Sequence, residues 1–316
     1  MPSFTSGSDS SDCHDRPDRF TIILLGTVIV ILALMEGVSR ERFDSTSKVQ
    51  IRETSERKAL LAIRDSGEIQ DPHIALVGNS LMLEGVNIPL LKARLNPEYM
   101  PVPYFVLGTN YYDWFFGLKR LFAEGMRPEY VLLGLSPNQL ASSDVRGDIS
   151  ARYMIQQSDL LDIVRQTHMD TTRASEFILA HYSEYYSTRE ITRGYVMSRV
   201  LPSVGELLHA RYASFHDPAI DESVLKPLAA SRLAAMDQLC RENGARLLFV
   251  VPPTYQKGDQ AISGAGQERG VTVLVPVGEG ELPVSDYQED GIHLNEKGAQ
   301  IFSIRLAEAL NTVLPK

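Results

Sequence analysis

ALVGNSLMLEG, residues 75–85, runs apolar to Gly78, turns polar at Asn79-Ser80, and resumes apolar residues of helix-forming type at Leu81. The run His73–Gly78 shows no alternation, which is the pattern of a strand buried on both faces. A buried strand that passes straight into a helix opens a βαβ unit, and with it a parallel sheet. Ser80 stands at the junction. It can cap the helix, as serine commonly does, or present its hydroxyl for chemistry beside its own N–H at a helix start. The stretch by itself leaves both readings open.

Working outward, four further apolar runs read as strands: VPYFVLG (102–108), EYVLLGL (129–135), ARLLFVV (245–251) and GVTVLVPV (270–277). Helix-type segments lie near 80–95, 113–125, 222–243 and 296–313. Strands alternating with helices predict an α/β fold, with a mostly parallel five-stranded sheet covered by helices on both faces. Residues 141–220 break the rhythm. They are helical in composition and read as an insertion between two strands, where an α/β fold can build a ligand site or merely carry a cover.

The N-terminal part is of another kind. Residues 1–19 are rich in Ser and Asp and read as a tail without a core. FTIILLGTVIVILALM (20–35) carries no charge and ends at Glu36, and no small-x-small cleavage site follows. Residues 20–38 are therefore expected to be an uncleaved signal anchor. Residues 39–72 are charged, with apolar Val49, Ile51, Leu60, Leu61 and Ile63, and read as a juxtamembrane helical linker to a domain spanning 73–316. Arg16 and Arg19 precede the apolar run, whereas Arg40, Arg42, Lys48 and Arg52 follow it. Counted alone, that asymmetry opposes export of the domain.

Composition excludes several classes. The chain has 316 residues, 44% apolar and 22% charged, which is ordinary for a globular protein. Its net charge of −9 leaves no basic stripe for nucleic acid. Cys13 and Cys240 are too far apart in sequence to mark a metal-spaced pair or a disulfide framework, so neither metal nor cofactor is expected.

A second motif lies far from the first. DGIHLNEKGAQIFSIRLAEAL (290–310) places Asp290 and His293 just before a helix that Asn295 can cap, with Phe302, Leu306, Leu310 and Val313 as its buried stripe. In a short turn Asp290 can accept from one imidazole nitrogen, which frees the other to take a hydroxyl proton. Read plainly, Asp290-Gly291 is a turn and His293 a surface residue. Ser80 and His293 follow the first strand and precede the last helix, so a parallel sheet brings both to its carboxyl edge. Between them Gly108 and Asn138 each follow a strand and are candidate oxyanion donors, or turn residues. Asn79, Asn110, Tyr111 and Pro253 are candidates for a substrate pocket. In TNYYDWFFGLKRLF (109–122), Tyr112 and Trp114 offer further aromatic surface, while Asp113 reads as a helix cap with Phe116, Leu118 and Leu121 as core. VPPTY (251–255) can border the site, and HYSEYYSTRE (181–190) offers tyrosines for a carbohydrate or for packing.

Taken together, Gly78-Asn79-Ser80, Gly108, Asn138 and Asp290/His293 resemble the four ordered blocks of the SGNH (GDSL-like) hydrolase superfamily, from about residue 73 to the C-terminus. DGIHLNEKGA is the most specific piece. The third block departs from the family's Gly-x-Asn-Asp, because GLSPNQ sets two extra residues before Asn138. The resemblance implies a flavodoxin-like three-layer α/β/α sandwich and a serine esterase. In it Ser80 is the nucleophile, His293 the base and Asp290 its orienting carboxylate, with Ser80 N–H, Gly108 and Asn138 as oxyanion hole. The anchor and the insertion are loosely similar in architecture to bacterial cell-surface polysaccharide acylation proteins of the alginate-acetylation and teichoic-acid D-alanylation type. That likeness implies an extracytoplasmic (periplasmic-side) domain acting on acyl, foremost acetyl, esters of envelope carbohydrate. It also implies two alternatives: an O-acyltransferase using the same acyl-enzyme, and a non-catalytic assembly factor for a membrane-bound O-acyltransferase.

Overall fold

A computed structural model describes residues 19–63, 72–201 and 220–315. Of the tail expected over residues 1–19 all but Arg19, which is helical, lies outside the described residues, as do parts of the expected linker (64–71) and insertion (202–219).

Five strands form one sheet: β1 (His73–Gly78), β2 (Met100–Phe105), β3 (Tyr130–Gly134), β4 (Arg246–Val250) and β5 (Thr272–Leu274). Their order is β2-β1-β3-β4-β5 and every pairing is parallel. This is the flavodoxin-like doubly wound order, whose chain reverses direction across the sheet between β1 and β3. Ligand crevices in such sheets open at the carboxyl ends beside that switch point, and Ser80 follows β1 by two residues.

Strand residues alternate between two apolar layers, as a sheet covered on both faces requires. Ala75, Val77, Val131, Leu133, Leu247 and Phe249 face one layer, filled by α5 (Tyr111–Ala123) and α11 (Glu222–Glu242) through residues such as Trp114, Leu121, Leu233 and Met236. Ile74, Leu76, Leu132, Leu248 and Val250 face the other. There α3 (Ser80–Gly85), α4 (Ile88–Arg94) and α13 (Glu296–Val313) supply Met82, Leu91, Phe302, Leu306 and Leu310. Each such buried side chain contributes roughly 1.5–3 kcal/mol. Val313 was expected in the same stripe but is 40% exposed; Leu314, one residue on, is buried instead.

The helix expected over 80–95 is two helices, because Asn87 caps a new one by accepting from Leu90 N–H at 3.0 Å. A helix absent from the sequence reading, α12 (Asp259–Arg269), joins β4 to β5. Its buried face is Ala261, Ile262, Ala265 and Gly266, too small to print a strong apolar period. β5 is correspondingly shorter than the run 270–277.

β2 begins at Met100 rather than 102, ends at Phe105 rather than 108, and is an edge strand. Met100 N–H and Val106 N–H point inward to Pro72 and Gly78 carbonyls (3.0 and 2.9 Å), so the odd-numbered residues point outward. Two of these, Pro101 and Pro103, have no N–H to offer. The next two are taken by the linker helix α2 (Lys48–Leu61): Phe105 N–H donates to Glu56 Oε2 at 2.9 Å, and Leu107 N–H to Glu53 Oε1 at 3.4 Å. Arg52 Nη1 donates to the Phe105 carbonyl at 2.9 Å. Leu60 and Ile63 are buried in the core, whereas Val49 and Ile51 stay exposed, so the linker packs onto the domain along one face only.

Among the described residues one helix is long and apolar enough to cross a membrane, Arg19–Glu41 within α1 (Arg19–Thr46). After α6 (Pro137–Ala141), the helical segment expected over 141–220 forms α7 (Asp148–Tyr153), α8 (Leu160–Gln166), α9 (Thr171–Tyr182) and α10 (Glu184–Val200). It docks on α1: Glu36 accepts from Ser183 Oγ (2.8 Å), Glu184 N–H (2.9 Å) and Tyr185 N–H (3.0 Å), capping α10 from outside.

Candidate active site

Two glycines set the position of Ser80. Gly78 and Gly134 are register partners at the carboxyl ends of β1 and β3, and the Met82 side chain crosses both. A Cβ on Gly78 would lie 2.5 Å from Met82 Cγ, and one on Gly134 2.1 Å from Met82 Sδ. Without side chains there, α3 settles against the sheet with Ser80 as its first residue. Asn79 is the helix cap, its Oδ1 accepting from Leu81 N–H at 3.0 Å. Ser80 is thus not the cap. It stands at the first helical position, where N–H has no intrahelical acceptor.

The turn before α13 delivers the other two groups. Gly291 takes the left-handed conformation (φ 69°), which lets the chain double back. Asp290 Oδ1 then accepts from Ile292 N–H (2.9 Å) and His293 N–H (3.0 Å), while its Oδ2 lies 2.6 Å from His293 Nδ1. Burial by itself would raise the Asp290 pKa, but the bonds from the imidazole and the two backbone N–H groups hold it below the ordinary carboxylate value. An ionised carboxylate only accepts, so Nδ1 carries the imidazole proton. Nε2 is left as an acceptor 2.8 Å from Ser80 Oγ, and the hydroxyl donates to it. Ser80, His293 and Asp290 therefore form one continuous relay, across 213 residues of sequence between the first two.

Gly108 lies three residues beyond β2, at the same sheet edge, in the left-handed conformation (φ 70°). The residues on either side of it are tied down. Leu107 N–H goes to Glu53, Asn79 Nδ2 donates to the Thr109 carbonyl at 2.9 Å, and Asn110 N–H goes to Asp113 Oδ2 at 2.8 Å. Thr109 Oγ1 donates to the Val106 carbonyl (2.7 Å) and accepts from Trp114 Nε1 (2.9 Å). Arg146 crosses above Gly108, 3.8 Å from where a Cβ would stand, and its Nη1 is 3.8 Å from Glu53 Oε1. Burial raises the Glu53 carboxyl, with Arg146 opposing, and burial lowers Arg146, with Glu53 opposing. Asp113 is pushed up to about 6 by burial, against hydrogen bonds from Ser150 and from the N–H groups of Asn110 and Arg146. Asn138 sits in the first turn of α6, half-buried and four residues past Gly134.

The four pocket candidates separate differently. Asn79, Tyr111 and Pro253 are buried. The Asn79 amide is spent on Leu81 and Thr109, and the Tyr111 hydroxyl donates to the Arg232 carbonyl at 3.3 Å, so the polar atoms of both are held inside the protein. Asn110 is half-buried and caps α5, with Asp113 three residues inside the helix; the cap is Asn110, not Asp113 as the sequence suggested. Trp114 is wholly buried in the core. From VPPTY it is Tyr255 that faces outward, 46% exposed, its ring centroid 4.4 Å from that of Tyr287. Its Cε2 would be 4.0 Å from a Cβ on Gly291, beside the turn that carries Asp290 and His293. Glu53 and Arg146 carry no motif, and nothing local in the sequence marks them.

No family model matches the chain, and no curated protein matches it significantly.

Proposed function

We propose that the chain is a membrane-anchored serine esterase of the SGNH type, acting on acyl esters, foremost acetyl, of envelope carbohydrate. The observation that carries this reading is the Asp290–His293–Ser80 relay, with contacts of 2.6 and 2.8 Å at the switch point of the sheet. In the reaction Ser80 Oγ attacks the acyl carbonyl carbon while His293 Nε2 takes the hydroxyl proton. Negative charge collects on the carbonyl oxygen, where Ser80 N–H, Gly108 N–H and Asn138 serve as donors. Collapse of this intermediate breaks the ester C–O bond, and His293 gives its proton to the departing sugar oxygen. Water, deprotonated by His293, then attacks the acyl-enzyme; the acid leaves and Ser80 regains its proton. Asp290 stays ionised throughout and holds the imidazole in the tautomer that the cycle needs.

In this reading Arg19–Glu41, long and apolar enough to cross a membrane, serves as the anchor, and the domain lies on the extracytoplasmic side. Protease added to spheroplasts, with the outer barrier removed and the inner membrane sealed, tests the side: digestion of the domain supports export, and full protection refutes it. A fluorophosphonate probe tests the chemistry. The wild-type chain is expected to be labelled at Ser80 and to turn over aryl acetates, with both lost in Ser80→Ala. An unlabelled wild type whose aryl acetate turnover is unchanged by Ser80→Ala refutes the enzyme reading and favours a non-catalytic assembly role. With a glycan acceptor present, an acylated sugar lost in Ser80→Ala marks transfer from the same acyl-enzyme in place of hydrolysis.

A further inference from the structure

A polar cleft opens away from the relay, where the apolar helix, the sheet domain and the insertion meet. It measures about 430 Å³ and is lined by Arg40 of α1, Arg120 of α5, Arg152 and Tyr153 of α7, His181 of α9 and Glu184 of α10. None of the relay residues belongs to it. Three guanidiniums converge there on a chain whose net charge is −9. Each is braced on one side by a carboxylate: Arg40 Nε by Glu36 (2.7 Å), Arg120 Nε by Glu124 (2.8 Å) and Arg152 Nε by Glu184 (2.8 Å). Tyr153 donates to the same Glu184, and Arg57 also pairs with Glu124, so the surrounding cations outnumber these carboxylates. Arg120 Nη1 donates to the Arg152 and Ile155 carbonyls (3.0 and 3.1 Å), and Arg152 Nη1 to the His181 carbonyl (2.9 Å). A guanidinium carries five N–H groups, so donors remain on all three after these bonds. His181 Nδ1 donates to the Ala151 carbonyl at 2.7 Å, which leaves Nε2 for a ligand.

Depth selects the anion. Arg40 follows Met35, the last residue of the uncharged run, by five positions, about 7 Å along a helix axis. The polar layer on each side of a bilayer core is about 5–7 Å thick. Oriented guanidinium forks at that depth match a phosphate group, which accepts two parallel N–H bonds from one arginine. We propose that this cleft binds a phosphate ester presented by an anionic lipid headgroup, an inference that rests on α1 being a membrane anchor.

Native mass spectrometry of the full chain, released from nonionic micelles doped with phosphatidylglycerol or phosphatidylcholine, tests the proposal. One phosphatidylglycerol per chain is expected to survive release, with phosphatidylcholine retained far less. Arg40→Gln is expected to cut retention about tenfold, the loss of one charge-assisted contact, and Arg40→Lys, which keeps the charge but not the fork, to fall between Arg40→Gln and the wild type. Glu36 keeps its bonds to Ser183, Glu184 and Tyr185 in either variant, and an unchanged melting temperature verifies the fold. Displacement by millimolar inorganic phosphate assigns the cleft to phosphate esters in general, and resistance to it assigns the cleft to the lipid. Equal retention of both lipids, or retention indifferent to Arg40→Gln, overturns the proposal. Partition of the full chain into membranes, measured separately, tests the anchor, so the two failures are told apart.

Discussion

Asn79 Nδ2 donates to the Thr109 carbonyl at 2.9 Å, and the same buried amide accepts from Leu81 N–H, so one side chain joins the Ser80 turn to the Gly108 loop. Asn79→Ala removes a helix cap and leaves a buried carbonyl unpaired. Together these are expected to cost about 2–4 kcal/mol. Because the two loops then move independently, kcat for an aryl acetate should fall even where the variant remains folded. Urea unfolding beside steady-state kinetics checks both.

Asp290→Asn keeps the turn but disfavours the tautomer that leaves Nε2 free, and kcat should fall roughly 10²–10⁴-fold. Its carboxyl is held below the ordinary value of 3.8, so in the wild type this contribution is present above that range and is lost only as pH falls through the lowered value. A wild-type pH–rate profile above pH 5 should therefore contain no step from Asp290.

The paired glycines under Met82 predict a coupled cost. Gly134→Ala should destabilise by about 1–3 kcal/mol through overpacking, and by at least about 1 kcal/mol less in a Met82→Ala background. Gly78→Ala should keep part of its penalty there, because its Cβ would also stand 2.9 Å from the Gly134 carbonyl oxygen. Thermal melts of the double-mutant cycles give both couplings.

Asp113 couples stability to pH. Its folded pKa of about 6 lies above the ordinary aspartate value of 3.8, so the folded state binds this proton more tightly than the unfolded chain. The resulting stability is fully present below about pH 4 and is lost as pH rises through about 6, a change on the order of 2–3 kcal/mol. Asp113→Asn should flatten that part of the slope in urea midpoints measured from pH 4 to 7. A slope identical to wild type would exclude Asp113 as its source.

Tyr255 offers an exposed ring beside the Asp290–His293 turn, braced by Tyr287. Tyr255→Ala should raise KM for an acetylated oligosaccharide about three- to tenfold through lost ring contact, with kcat for small aryl acetates unchanged. An equal effect on both substrates would deny the ring a role in sugar binding.

The legible parts of the molecule were those written in large side chains or in local spacing. β1, β3 and β4 match the apolar runs almost residue for residue, because strands buried on both faces leave no polar positions. The helix after Asn295 was likewise plain, but α12 was not, since Ala, Gly and one Ile bury it. Ser80, Asp290 and His293 were readable because each lies in a short motif whose place at the sheet edge follows from chain order. The grip of Glu53 and Arg146 on the Gly108 loop was not, because it joins the linker helix to the insertion across the sheet edge, and no local pattern records such a contact. The internal bonds of Asn79 and Tyr111 were hidden for a related reason: polar atoms on a loop look available until their partners are seen.

The outer rim of β2 bears on how copies of this protein meet. A strand edge recruits another chain by offering N–H groups, and here two outward positions are proline and the next two are consumed by Glu56 and Glu53. The linker helix therefore makes that rim mute toward edge-to-edge self-association. Sheet continuation between neighbours is closed on this side of the molecule, which leaves the three-residue β5 as the opposite rim.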